Sequence, residues 1–418
     1  MHKFWLCATV DAQMQRYEVR LQSLSHAALV RLAAEGMRGC RQTRSMGDAM
    51  LAEESPLPDW ASDVLTSADL LGPVLASLSL RDSPSARVCT AWRDAWRAKQ
   101  NRTSLVYKRN VQEVLLLDPL PDAGPESGYI RHVTPMPGGG VLVPDYNDYC
   151  VKILTVQGSL SSAFEVKCRK CAVGYLETPS AVALLSDNHD IAWVLLEDPG
   201  SIVKIRLEDE LDDEEEGVLQ RIDGYGHIRD IAVADDKLYV LVPSAVNVHS
   251  AATGDYKFTF SSHGSGTDQL LYASSIEARD GLVYVADMLN HRIQVFSSDG
   301  NHVRSIGRGG EAPAWIGDDT WVDDLEDDGR LDPRAGSLPG EFDQPFGIAV
   351  GHGRLYVSER RGCRIQTLTL EGEPLHMIDS PDGEHLSGMC VDGDRFWVVG
   401  EHAMPSDMHL FTLTDVSD

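Results

Sequence analysis

From about residue 110 onward one phrase recurs: an apolar strand, a turn carrying Gly or Asp, a second strand ending in aromatic-Val or Leu-Val, a polar hairpin, and a third strand rich in Ile and Val. Copies of the second strand with its hairpin and third strand read VLVPDYNDYCVKIL (141–154), WVLLEDPGSIVKI (193–205), LYVLVPSAVNVHS (238–250), VYVADMLNHRIQVF (283–296), LYVSERRGCRIQTL (355–368) and FWVVGEHAMPSDMHLF (396–411). Equivalent valines stand at Val143, Val194, Val240, Val285, Val357 and Val398, spaced 51, 46, 45, 72 and 41 residues apart. First-strand copies at Val182–Leu185, Asp230–Val233, Ser275–Ala278, Gly347–Val350 and Gly388–Val391 each precede their valine by a similar interval.

A period in the forties with strand character is that of a four-stranded propeller blade, a unit that buries its faces only by stacking on its neighbours. The expected fold is therefore mainly β, a six-bladed β-propeller over 105–418, and the one long gap holds an acidic insertion at about 311–340. Such a ring must close. The last blade ends after a third strand near Leu410–Thr414, and an apolar segment, Asn110–Asp118, stands unmatched ahead of the first blade. That segment is expected to supply the outer strand of blade six and so hide its edge.

Ahead of the repeats the period changes. Residues 1–56 are expected to form a helical appendage and a polar linker, because apolar residues recur at spacings of three and four between Asp11 and Arg38. In 57–104 the stripe Leu70, Leu71, Val74, Leu75, Leu78 follows Asp69, a suitable N-cap, and a second helix carries Val88, Cys89 and Trp92. A domain this small has little core of its own and would lean on a partner surface.

Charge divides at the same place. Of 37 basic and 64 acidic residues, residues 1–110 hold 15 and 11, which leaves a net charge of −31 on 111–418. Nucleic acid and anionic membrane surfaces are unsuitable main partners for so acidic a repeat region. No apolar run approaches the roughly 20 residues of a membrane span. The eight cysteines are too sparse for a disulfide scaffold and read as reduced thiols, consistent with cytoplasm and/or nucleus. The single CxxC, Cys168 and Cys171, lacks the second ligand pair of a structural zinc site.

Two resemblances rest on these residues. Leu57–Trp96 resembles an F-box: Leu57-Pro58, Val74-Leu75, Leu78, Asp82, Val88-Cys89, Trp92 and Arg93 fill the family's pattern, although Leu57-Pro58 stands further upstream than the pattern has it. The repeats are similar to NHL-type blades, most clearly in Phe342–Leu375 and Ser275–Gly307, where GIAV or SIEA, then YV, then RIQ, then a Gly turn follow in order. The first resemblance implies docking on a Skp-type adaptor of a cullin-RING ubiquitin ligase through Leu70, Leu71, Val74, Leu75, Leu78, Val88, Cys89 and Trp92. The propeller would then be the substrate receptor, and no cofactor and no catalytic residue is expected.

The target would meet the face where hairpins and inner-strand starts gather. Arg131 and Arg229 head two of the six inner strands, and the hairpins offer Tyr146, Tyr149, His291, Arg360, Arg361 and His402. Basic groups at the mouth of an acidic ring would form a focused positive spot suited to an acidic or phosphorylated protein segment. Arg292 and Arg364, inside the repeat motif, are expected to serve the fold. A non-ligase interaction scaffold is the alternative, and a metal-dependent propeller hydrolase or lyase a further one. The latter would need about three histidines at matching inner-strand positions, whereas His132, His227 and His385 stand at different offsets and Asp230 is the one acidic match.

Overall fold

In the computed structural model the described residues are 103–110 and, apart from several loops, 130–415; the longest segments outside them are 1–102, 111–129, 208–217 and 309–331. All of the F-box-like positions, Leu70 to Trp92, and the two helical regions assigned from periodicity lie outside the described residues.

Strand β1 (Thr103–Asn110) comes first. Blade one follows as β2 (Thr134–Pro135), β3 (Val141–Asp145), β4 (Cys150–Gly158) and β5 (Phe164–Cys171). Blade two is β6 (Pro179–Leu184), β7 (Ile191–Leu196), β8 (Ser201–Arg206) and β9 (Val218–Ile222), and blade three is β10 (Asp230–Ala234), β11 (Lys237–Val242), β12 (Ala245–Ser250) and β13 (Tyr256–Phe260). A small parallel pair, β14 (Ser262–His263) and β15 (Gln269–Leu270), lies in the next connection. Blade four is β16 (Ala273–Arg279), β17 (Leu282–Asp287), β18 (Arg292–Ser297) and β19 (His302–Gly307). Blade five is β20 (Pro345–Gly351), β21 (Arg354–Glu359), β22 (Arg364–Thr369) and β23 (Pro374–Asp379). The chain ends with β24 (Leu386–Asp392), β25 (Arg395–Gly400) and β26 (Asp407–Asp415).

Five blades are antiparallel meanders in chain order, while the sixth has the order β1-β26-β25-β24. The ring is thus closed by an N-terminal strand, as the unmatched third strand of blade six requires. The closing segment differs from the one expected: it is Thr103–Asn110, not Asn110–Asp118, and 111–118 lie outside the described residues. Apolar content pointed to Asn110–Asp118, but an outer strand is solvated on one side and can be polar. Among the side chains described in this strand Leu105 is deeply buried, while Val106 and Tyr107 are exposed.

Each interface between neighbouring blades carries its own apolar cluster, and the six clusters run once around the ring. The last joins Trp397, Val399 and Leu410 of blade six to Ile130, Val141 and Leu154 of blade one. Because the second strand of a blade faces an interface on both sides, it reads as a nearly unbroken apolar run instead of alternating. All six repeat valines are 0% exposed. In blades two to six each valine opposes an inner-strand residue in one register: Val182, Ile231, Ile276, Ile348 and Met389.

The first hairpins of three blades share one turn. Asp235-Asp236, Asp280-Gly281 and His352-Gly353 all have positive φ at both positions, the twist that a two-residue link between antiparallel strands needs. The RIQ motif works as a clamp. Arg292 donates to the carbonyls of Gly266 and Gln269 while pairing with Asp287 at 2.7 Å, and Gln294 donates to Thr267. Arg364 likewise reaches the carbonyls of Gly336, Ser337 and Glu341 and pairs with Glu359 at 2.7 Å. Each motif therefore holds the connection that leads into its own blade, which bears out the structural role expected for both arginines.

Candidate functional site

The inner strands converge on a cavity of about 390 Å³ at the end of the channel where inner strands begin and second strands finish. Its floor is a polar ring that ties the blades together. Asp230 is the hub. Its Oδ2 accepts from Ser275 Oγ at 2.8 Å and the Ile276 amide at 2.9 Å in blade four, and its Oδ1 accepts from the Ile231 amide and lies 3.2 Å from His132 Nε2 of blade one. Thr134 donates its hydroxyl to the Val182 carbonyl, Ser274 to that of Phe346, and Ser358 to that of Ser387. With its four contacts Asp230 is committed to structure, and its charge is met inside the protein.

Three arginines, Arg131, Arg229 and Arg360, from blades one, three and five, also line the cavity. Arg131 Nη1 lies 3.3 Å from Glu197 Oε1, with both side chains more than a third exposed (38% and 37%). Arg229 is held differently. Its guanidinium sits over the ring of Tyr272 at 4.9 Å, and its buried Nε makes no hydrogen bond among the described residues. Burial pushes the Arg229 guanidinium down from its ordinary value and the Arg131 charge pushes the same way, while Tyr272 and Glu197 oppose them. An arginine nevertheless stays charged, so both cations remain available to an entering anion. Met288 and Phe346 form an apolar flank.

The expected face residues divide. Arg131, Arg229 and Arg360 come together in the cavity. Tyr146 is half-buried and Tyr149 48% exposed on the blade-one hairpin, Arg361 is half-buried beside Arg360, and none of the three lines the cavity. His402 lies outside the described residues. His291 has to be withdrawn as a surface contact. It is 2% exposed, caps the 3-10 turn Met288–Asn290, accepts from the Gln344 amide through Nδ1 and lies 3.3 Å from Asp332. Its place in a hairpin predicted exposure, but the last part of the insertion folds back over that hairpin. There Arg334 donates to the Leu289 carbonyl and to Asn290 Oδ1.

Glu197 and Tyr272 were not foreseen. A usable signal existed for Glu197: it stands three residues past its repeat valine, as Met288 and Arg360 do, and all three line the cavity. His132 and His227 also reach the cavity, whereas His385 does not. Among the described residues no group of three or more His, Cys, Asp or Glu is placed to hold a metal ion.

No family model matches the chain, and no curated protein does. Solved structures do. A protein of unknown function from Bacteroides thetaiotaomicron is similar at TM-score 0.46 and 13% identity, over 75% of this chain and 76% of that one. A catalytically inactive virginiamycin B lyase from Staphylococcus aureus with quinupristin is similar at TM-score 0.44 and 14% identity, over 75% of this chain and 100% of that one. A nidogen/laminin complex chain is similar at TM-score 0.43 and 12% identity, over 60% of this chain and 82% of that one. The assignment as a six-bladed propeller rests on the sheet order and the six interface clusters described above.

Proposed function

We propose that this protein is a non-catalytic receptor whose propeller captures an anionic segment of a partner protein in the axial cavity. The observation that carries the reading is the convergence of Arg131, Arg229 and Arg360 on one cavity, in a region whose sequence is otherwise strongly acidic. Such a focus attracts an anion at the axis while the surrounding carboxylates repel anions elsewhere, which favours one docking position. The F-box-like residues Leu70, Leu71, Val74, Leu75, Leu78, Val88, Cys89 and Trp92 support the finer reading, a substrate-recognition subunit of a cullin-RING ligase docked on a Skp-type adaptor. Residues 57–104 would then bring the ligase and the propeller the target.

Two variants test the two halves. R131E combined with R229E reverses the cavity's charge and is expected to abolish capture of partner protein by the full chain while leaving adaptor binding intact. L75D combined with W92A is expected to do the opposite. If the adaptor and cullin fail to co-elute with the wild-type chain, the ligase half falls and an interaction scaffold remains; unchanged capture by the arginine variant overturns the cavity assignment.

A further inference from the structure

The cavity holds a built-in competitor for its own ligand. Glu197 lies 3.3 Å from Arg131 Nη1, both groups are partly open to solvent, and Glu197 belongs to the cavity lining. We infer that Glu197 makes the cavity selective for a phosphomonoester over a carboxylate, so that the anionic segment it takes is phosphorylated. This rests on the reading of the cavity as an anion site.

The argument is one of exchange. A ligand carboxylate that binds Arg131 replaces the Glu197 carboxylate with a group of the same charge and the same two acceptor oxygens, so little is gained. It must also compete with a group that is tethered in place, at an effective concentration on the order of millimolar. A phosphomonoester carries about −1.5 to −2 charges and three acceptor oxygens. It has acceptors enough for Arg131 and also for Arg229, which lines the same cavity with its guanidinium held over Tyr272. Because Arg131 and Arg229 line one cavity, a single multidentate anion is the better partner. Asp230, the other carboxylate in the lining, does not compete in this way, since both its oxygens are engaged by Ser275, Ile276, Ile231 and His132.

The test uses the immobilised full chain and two degenerate peptide libraries, one with phosphoserine fixed at its centre and one with glutamate there. Wild type is expected to retain the phosphoserine library at least about tenfold better than the glutamate library, the equivalent of about 1.4 kcal/mol. In E197Q, with an unchanged melting temperature as the check on folding, glutamate retention is expected to rise and the ratio to fall to about threefold or less. Inorganic phosphate as competitor should release the phosphoserine library from both. Equal retention of the two libraries by wild type, or the same ratio in E197Q as in wild type, overturns the role of Glu197 while leaving the anion site standing. Retention of neither library by wild type removes the anion site itself, and the inference with it.

Discussion

The Gly388 amide, in the inner strand of blade six, donates to the Arg131 carbonyl of blade one at 2.9 Å. Ring closure and the candidate site therefore share a hydrogen bond: the last interface of the propeller also sets the backbone position of a cavity arginine. A Cβ at Gly388 would stand 2.2 Å from that carbonyl oxygen and 2.8 Å from His132 Cα, both backbone atoms that cannot swing aside. Gly388→Ala is expected to force the two blades apart, with a loss of about 1–3 kcal/mol and weakened anion capture. Chemical denaturation and peptide retention, measured on one preparation, check the two effects.

The outer strand of blade six depends on a short N-terminal segment. Removing residues 103–110 leaves β26 as an open edge and strips Leu105 from the cluster it shares with Phe396, Val398 and Phe411. The truncated propeller is expected to lose its single cooperative melting transition or to associate through the bare edge. Leu105→Ala, a milder change, should cost about 2–3 kcal/mol, the lower part of the range for a buried leucine. An unaltered denaturation midpoint in Leu105→Ala would mean that the strand is not part of the cooperative unit.

The arginine clamps carry stability. Arg364 pairs with Glu359, which is 0% exposed, and burial raises the Glu359 carboxyl above its ordinary value even with Arg364, the Asp343 amide and Gln366 opposing it. Arg364→Ala leaves that buried carboxylate without its cation, held only by the Asp343 amide and Gln366, takes the arginine donors from the Gly336 and Ser337 carbonyls, and is expected to cost about 3–5 kcal/mol. Arg361→Ala, three residues away and in no clamp, should cost less than about 1 kcal/mol. Paired denaturant titrations would show the contrast.

Glu277 couples stability to pH. Desolvation raises its carboxyl to about 7, with Arg279 opposing the rise and Asp230 adding to it. Its neutral form is thus the one the fold prefers. The stability this brings is complete below the ordinary carboxyl value near 4.5 and is lost as pH rises through about 7. Glu277→Gln, which stays neutral, is expected to match wild type near pH 5 and to exceed it by about 1–2 kcal/mol at pH 8. Denaturation midpoints at the two values test this; a variant less stable than wild type at pH 8 would show that the carboxylate has a structural partner.

Much of the fold was legible because a blade repeats its own chemistry. Val143, Val194, Val240, Val285, Val357 and Val398 occupy the same buried strand position in six blades, and the inner strands read from the sequence lie where β6, β10, β16, β20 and β24 run. The clamp roles of Arg292 and Arg364 followed from their place in the repeat. The closing strand was harder to find, because Thr103–Asn110 carries less apolar sequence than the neighbouring Asn110–Asp118 and its pairing with β26 joins segments about 300 residues apart.

The candidate site was legible only in part. Arg131, Arg229 and Arg360 could be named from their positions in the repeat, and Glu197 could have been, since it stands where Met288 and Arg360 do; Tyr272 could not, and His291 was misplaced. The amino-acid sequence by itself determined the strand period, the blade count and the six valine positions that are buried, since those are properties of each repeat and its immediate neighbours. Only the tertiary structure decided which strand closes the ring, that Asp230 is spent on joining blades, and that Glu197 faces Arg131. Those relationships link residues far apart in the chain, and they exist only once closure has brought six separate strands to a common axis.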